Sequence, residues 1–356
     1  MSHPLQILHL GLKSGNSLHR ANALRRLGHE VDILDPWEFL SKGKFASTIL
    51  RKLVYEIGAA CLESFIRFRL DQALGNSFFD IIWNNQCELI GGKSAALLRS
   101  HCNSMVAFNN DDIFGGRDKN RFALYRDSVR HYDLVVVVRE QNVAEAYALG
   151  APAVTRVLLT ADEVAHAPVA LSPDDLKKWR SEVAFVGTWM PERGPLLNRL
   201  LDLGVPLTLY GDRWYKAHEW SNIKKTWRGP GLVGQDYVKA IQSARICLGL
   251  LSKDNRDLHT QRSSEIPYIG SVLCAERTGE HQAMYRENEE ALFWDTPEEC
   301  AHNCFTLLAD EPRRQTIACA GQQRCIQSGY LNERIIKGIL DSLSVLKGAS
   351  SGRQQK

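Results

Sequence analysis

The sequence predicts an α/β protein of two tandem, doubly wound parallel-sheet domains. Short apolar runs recur along the chain, and they are continuous rather than alternating, as strands covered on both faces require. Helical segments separate these runs. A strand–loop–helix pattern opens the chain and restarts near residue 181. The 356 residues suit two domains of ordinary size, and 44% hydrophobic with 24% charged residues is a globular composition.

The first unit reads as strand Leu5–Leu10, loop Gly11–Asn16, helix Leu18–Leu27 ending at Gly28, and strand Val31–Leu34 closed by Asp35 and Pro36. That is a βαβ unit, which implies a parallel sheet with a right-handed crossover. Strands follow at Asp80–Trp83, Met105–Phe108 and Leu134–Val138, with one long helix over about Ser47–Leu74. Over residues 42–74 six Lys/Arg face three acids. The segment reads either as a solvated amphipathic face or as a surface toward an anionic membrane or a lipid-linked acceptor.

The second unit has strands at Val183–Gly187, Leu207–Gly211, Arg245–Leu251, Val272–Ala275 and Ala291–Trp294. Its helices fall at Gly194–Leu203, Gln235–Ala244, Glu311–Cys325 and Leu331–Leu346. Ser172 before Pro173, and Thr296-Pro-Glu-Glu, mark helix starts, the latter as a capping box. These signals place an N-terminal domain over 1–165, a linker over 166–180, a second domain over 181–328, a closing helix over 329–346 and a disordered tail over 347–356. Such tandem sheets bind ligands at their carboxyl ends, in a central cleft between the domains.

Several function classes are excluded. A net charge of +3 is too small to argue for nucleic acid. No run approaches the roughly 18 apolar residues of a membrane span. No basic stretch followed by an apolar run opens the chain, and nine cysteines without a C-x-x-C pair suit a reducing cytoplasm. Gly91-Gly-Lys-Ser lacks the upstream glycine of a P-loop, since Cys87 stands there. Cys300, His302 and Cys304 lack a fourth ligand, so no metal is expected.

Residues 257–276 are the most informative stretch. A polar loop with Arg262 runs into a Ser263-Ser264-Glu265 helix start about one turn long, Gly270 stops the helix, and an apolar strand follows. Free N–H groups and a dipole of roughly +0.5 charge make such a helix start an anion site. Arg262 and the Ser263–Glu265 amides would hold a diphosphate, and Glu265 a ribose hydroxyl. The competing readings are a solvated Arg and a helix-start acid favoured by the dipole alone.

Specific strings add to this. Phe185-Val-Gly-Thr-Trp-Met-Pro-Glu-Arg, Leu209-Tyr-Gly-Asp-Arg-Trp, Arg262-Ser-Ser-Glu-Ile-Pro-Tyr-Ile-Gly and Glu276-Arg-Thr-Gly-Glu-His resemble the GT-B glycosyltransferases. Within those, the chain resembles the CgeB-like spore-maturation glycosyltransferase family, over about residues 183–330. The resemblance implies two Rossmann-like domains, with the nucleotide-sugar donor on the second. It implies donor contacts from Gly187, Thr188, Arg193, Tyr210, Gly211, Trp214, Arg262, Ser263, Ser264 and Glu265. Tyr210, Gly211 and Trp214 would offer a bare backbone and an aromatic face for a base; Gly187 and Thr188 read equally as an ordinary strand-to-helix turn, and Trp214 as a core aromatic. Many retaining members carry two glutamates separated by seven residues; here Asp257 stands where the first would be.

The acceptor then falls to the first domain. The Gly15-Asn16-Ser17 loop would face it, with His19, Asp111 or Asp112 as candidate base. The expected activity is metal-independent transfer from a UDP-, GDP- or dTDP-sugar to a protein, glycan or lipid-linked acceptor, with no other cofactor and no nucleic acid. The protein would be cytoplasmic, with peripheral membrane contact an option. The alternatives are an NAD(P)-dependent oxidoreductase using the first βαβ unit with Asp35 on the ribose, a GT-B epimerase, and a non-catalytic nucleotide-binding protein.

Overall fold

The computed structural model describes residues 3–40 and 44–353, with side chains 44–48 and 349–353 left aside. The chain divides into two compact units. The first comprises Met1–Leu158, Asp254–Arg256 and Asn332–Lys356; the second comprises Leu159–Lys253 and Asp257–Leu331.

The first unit is a six-stranded parallel sheet of β1 (Gln6–Leu10), β2 (Glu30–Leu34), β3 (Phe79–Asn85), β4 (Cys102–Phe108), β5 (Leu134–Val137) and β6 (Val154–Arg156), in the order β2-β1-β3-β4-β5-β6. Alternate residues go to opposite faces. Ile7, Ile81, Trp83, Val106, Phe108, Leu134 and Val136 join one apolar core, while Leu8, Ile82, Met105, Ala107, Val135 and Val137 join the other. This is why the runs are apolar without alternation. The first core is closed by the helices Gly15–Arg26 and Asn332–Arg353, the latter through Ile336, Ile339 and Leu343.

The second unit repeats the plan with β7 (Ser181–Val186), β8 (Leu207–Tyr210), β9 (Trp227–Gly229), β10 (Ala244–Gly249), β11 (Val272–Glu276) and β12 (Leu292–Trp294), ordered β12-β11-β10-β7-β8-β9 and parallel throughout. In each sheet the winding reverses beside the first strand, between β1 and β3 and between β7 and β10. Those reversals are where loops part and ligands enter.

Several expected elements differ. The long helix over 47–74 is two helices, Lys44–Ile57 and Glu63–Leu74, broken at Gly58, whose φ of 82° no helix continues. The first helix begins at Gly15, so Gly15–Ser17 form its first turn rather than a loop. The helix expected to be one turn long runs eight residues, Arg262–Ile269, and Gly270 ends it at φ 102°. The tail expected to be disordered is helical through Arg353; residues 354–356 lie outside the described ones. Thr296 caps the Glu299 amide, but the Glu299 carboxylate takes the Asp295 amide, so the box is half made. Ser172 and Asp175 form a full one. The short edge strands β6 and β9, three residues each, carry too little pattern to read from sequence. The Gly91-Gly-Lys-Ser helix start is filled from within. Glu63 accepts the Lys93 amide at 2.8 Å and Asp127 that of Gly92 at 3.2 Å.

Two glycines hold the loops after β7 and β8 against each other. A Cβ on Gly211 would lie 1.9 Å from the Gly187 carbonyl oxygen, which also accepts the Trp214 indole N–H at 2.9 Å. Gly211→Ala therefore forces these loops apart and is expected to cost at least about 3 kcal/mol in chemical denaturation. Gly279→Ala, with nothing within 4 Å of the new Cβ, serves as the neutral control.

Candidate functional site

The second unit carries a cavity of about 230 Å³ at its sheet reversal. Val186 at the end of β7, Gly187 and Thr188 after it, Leu250 after β10, and Thr260, Gln261 and Arg262 at the helix start line it, with Arg193 on one side. Arg193 is buried. Its guanidinium donates to the Thr188, Leu250 and Leu251 carbonyls at 2.8–3.3 Å, which clamps the two loops together. Arg262 donates from Nε to the Val186 carbonyl at 3.1 Å, lies 4.5 Å over the Tyr237 ring, and bonds the Glu265 carboxylate through Nη1. Two guanidinium groups thus reach a cavity closed by loop backbone, an arrangement that suits an anion.

Glu265 anchors this cluster from below. It is only 2% exposed and accepts the Tyr237 hydroxyl at 2.7 Å. His166 Nδ1 accepts the Asp162 amide, so its Nε2 carries the proton, 3.5 Å from the other Glu265 oxygen. Burial pushes the Glu265 carboxyl up, but the Arg262 charge, with the hydrogen bonds from Tyr237 and Arg262, outweighs it and holds the group below the usual range. A second chain fixes the helix start. The Thr260 amide donates to Ser263 Oγ, Ser263 hydroxyl to His281 Nε2 at 2.7 Å, and His281 Nδ1–H to the Glu276 carbonyl at 2.7 Å.

The first unit carries a cavity of about 300 Å³ between the loops after β1, β2, β3 and β4. Gly15, Asn16 and Ser17 line it, as do Asp35, Arg51, Asn85, Gln86, Glu88, Asp111 and Arg121. Gln86, at φ 53°, accepts the Asn110 and Asp111 amides at 2.6 and 2.8 Å and donates to Asp111 Oδ2 at 2.6 Å. Arg121 sits 3.5 Å from Glu88, 3.4 Å from Asp111 and 3.9 Å from Asp118. Burial raises the Asp35 pKa. Ser17 Oγ lies 3.0 Å from Nε2 of the buried His9, whose pKa burial lowers to about 3, so the ring is neutral.

Solved structures share this fold. Sucrose-phosphate synthase from Thermosynechococcus elongatus superposes with a TM-score of 0.69 at 14% identity, over 96% of this chain and 99% of that one. Anabaena HepE, solved in complex with UDP and glucose, superposes at 0.66 and 14% identity, over 96% and 100%. The α,α-trehalose 6-phosphate synthase of Burkholderia multivorans gives 0.63 at 12% identity, over 98% and 100%. The fold is GT-B. Residues 193–341 also match a family model described as glycosyl transferase-like. Sequence comparison with curated proteins yields no match.

Within this GT-B frame the expected donor residues separate. Gly187, Thr188, Arg193 and Arg262 come together at one cavity. Tyr210 does not offer a face to a base; it is buried against Trp179, ring centroids 5.7 Å apart. Trp214 is the core aromatic, 1% exposed beneath Phe185, and Gly211 supports the loop contact. Ser263 and Ser264 are buried, with hydroxyls bonded to His281 and to the Leu159 carbonyl. The Ser263, Ser264 and Glu265 amides already donate to Thr260 and Gln261 carbonyls, and the residues of this stretch that line the cavity are Thr260, Gln261 and Arg262. Glu265 faces inward rather than outward. Asp257 is half-buried and is not among the residues lining the cavity.

On the first unit, Asp111 and Asp112 point to different surroundings. Asp111 lines the cavity. Asp112 is fully buried, with Arg256 donating to both of its oxygens at 2.5 and 2.7 Å and Asn142 at 2.9 Å. Burial pushes its pKa up, but the Arg256 and Asn142 hydrogen bonds hold it below the usual value, so it does not fit a base. His19 is half-buried and is not among the lining residues. Asn85, Gln86 and Glu88 were missed, although their place at and just beyond the end of β3 could have flagged them. The sulfurs of Cys274, Cys300 and Cys304 lie within 4.8 Å of one another in the apolar core, while His302 lines a separate small cavity.

Two outcomes follow from the buried network. Glu265→Ala leaves Arg262, Tyr237 and His166 around an empty carboxylate position, so it should lower unfolding stability by roughly 3 kcal/mol in urea melts. The second concerns pH. Burial lowers His281 from 6.5 to about 4. The unfolded chain therefore takes a proton that the folded one refuses. Stability from this group is full above about pH 6.5, falls by roughly 3 kcal/mol as pH drops to about 4, and levels below that. Melts of the wild type and His281→Gln across this range check it, the variant showing the shallower slope.

Proposed function

We propose that the chain transfers a sugar from a nucleoside-diphosphate-sugar to a hydroxyl acceptor without a metal ion. The observation that carries this reading is the cavity of the second unit, where Arg262, Arg193 and the start of helix Arg262–Ile269 converge at the sheet reversal. Charge developing on a departing diphosphate would be stabilised by fixed guanidinium groups and the helix dipole. HepE was solved with UDP-glucose, which favours a uridine donor as the first to test. The fold likeness and the glycosyl transferase-like match over residues 193–341 support a transferase rather than an oxidoreductase. The finer resemblance to the CgeB-like family belongs to this proposal, resting on the quoted strings.

The acceptor is assigned to the cavity of the first unit, whose carboxylates, amides and Ser17 hydroxyl suit a hydroxyl-bearing group. Of the three candidate bases only Asp111 lines it, so Asp111 is proposed to orient and deprotonate the acceptor hydroxyl. Neutral His9 would hold Ser17 in place.

Thermal shift and calorimetry with UDP, GDP, dTDP, their sugars and NAD(P) test the reading. One nucleoside diphosphate should stabilise the protein, and Arg262→Gln should weaken it about thirtyfold, the size of one charge-assisted contact. Stabilisation by NAD(P) alone would falsify the proposal. In a donor-turnover assay, Asp111→Asn should reduce kcat about a hundredfold with nucleotide affinity unchanged.

A further inference from the structure

The helix Lys44–Ile57 does not bury its apolar side in the way an amphipathic helix of a globular protein does. Val54 is buried in the first unit's core and Leu50 is partly so. Ile49, Leu53 and Ile57 are 49%, 49% and 68% exposed. Their spacing of four residues draws one stripe along the outer side of a helix about 20 Å long. The next helix, Glu63–Leu74, also leaves large apolar side chains outside, with Phe65 43% and Phe68 56% exposed while Ile66 and Leu70 face the core.

The charge of this region is as unusual as its apolarity. Residues 42, 44, 51, 52, 67 and 69 are Lys or Arg, against Glu56, Glu63 and Asp71, a net +3. Removing these 6 from the chain's 44 basic residues and these 3 from its 41 acidic ones leaves 38 of each, so the rest of the chain is neutral. Two of the three acids are engaged elsewhere. Glu56 pairs with Lys119 at 2.5 Å, and Glu63 accepts the Lys93 amide. Lys52 and Arg67 are exposed and make no ion pair among the described residues.

We propose that this helix pair is a docking surface for an anionic lipid bilayer, with Ile49, Leu53 and Ile57 entering the headgroup boundary and Lys52 and Arg67 facing lipid phosphates. An apolar stripe with unneutralised cations is what an interfacial helix needs. No helix among the described residues is long and apolar enough to cross a membrane, so the chain would lie on the surface rather than span it. Arg51, one residue before Lys52, lines the first unit's cavity, so the bound face and the cavity share a helix.

Co-sedimentation of the full chain with vesicles tests this directly. The protein should pellet with phosphatidylcholine vesicles holding about one third phosphatidylglycerol, stay in solution with phosphatidylcholine alone, and be released by high salt. Leu53→Glu with Ile57→Glu should reduce binding at least about tenfold, and Lys52→Glu with Arg67→Glu should do the same. Thermal melting of both double variants should match the wild type, since these side chains are exposed. The proposal is overturned if the wild type ignores anionic vesicles or if the variants bind as well as it does. It is equally overturned if the substitutions instead turn a dimer into a monomer, which would make a second copy the true cover.

Discussion

A buried carboxylate must have its charge answered on the spot, and in the second unit that requirement organises the candidate site. Glu265 sits in a dry position where an uncompensated charge would be prohibitive. Arg262 from the same helix surrounds it with Tyr237 and His166, which bring two other segments of the unit to the same point. Arg262 is thereby fixed with its remaining edge at the cavity. Backbone carbonyls of Val186, Thr188, Leu250 and Leu251 hold Arg262 and Arg193 from the other side. Two cations are kept at a cavity wall because one anion and several carbonyls fix them, so that wall is held in place before anything binds.

The first unit answers its buried charge differently. Asp112 is neutralised by Arg256, and Asp111 is left to the cavity. Adjacent residues in one loop thus divide into an anion buried against Arg256 and one that lines the cavity. The same division runs through Gln86, whose strained backbone lets its amide hold Asp111 by side chain and main chain together.

Much of this was legible in the sequence, and the rest was hidden for physical reasons. Continuous apolar runs revealed the strands because both sheet faces are covered, and the Arg262–Gly270 segment stood out because a polar loop, a short helix and a buried strand follow in quick succession. What sequence could not resolve is direction. Tyr210 and Trp214 read as possible faces for a base, but strand alternation and a close loop contact turn them into the core. Glu265 read as reaching out to a ribose hydroxyl, yet it is buried, and two of its partners, Tyr237 and His166, stand 28 and 99 positions away. Asp111 and Asp112 were indistinguishable by pattern, since the arginine that separates them lies 144 residues on. Spacing along a chain carries no information about such distant partners.

The first unit is assembled from three stretches of chain, and the last of them is the helix Asn332–Arg353. Its Ile336, Ile339 and Leu343 close the core over Ile7, Leu24 and Trp83. During synthesis the sheet of the first unit therefore emerges before the helix Asn332–Arg353 and keeps part of one oily face uncovered until that helix has left the ribosome. Asp112 likewise waits for Arg256. The second unit, whose strands and helices leave the ribosome in one nearly unbroken run, is complete sooner. Of the two units, the one begun first is the one finished last, and for that interval the uncovered part of its sheet is a natural client for a chaperone.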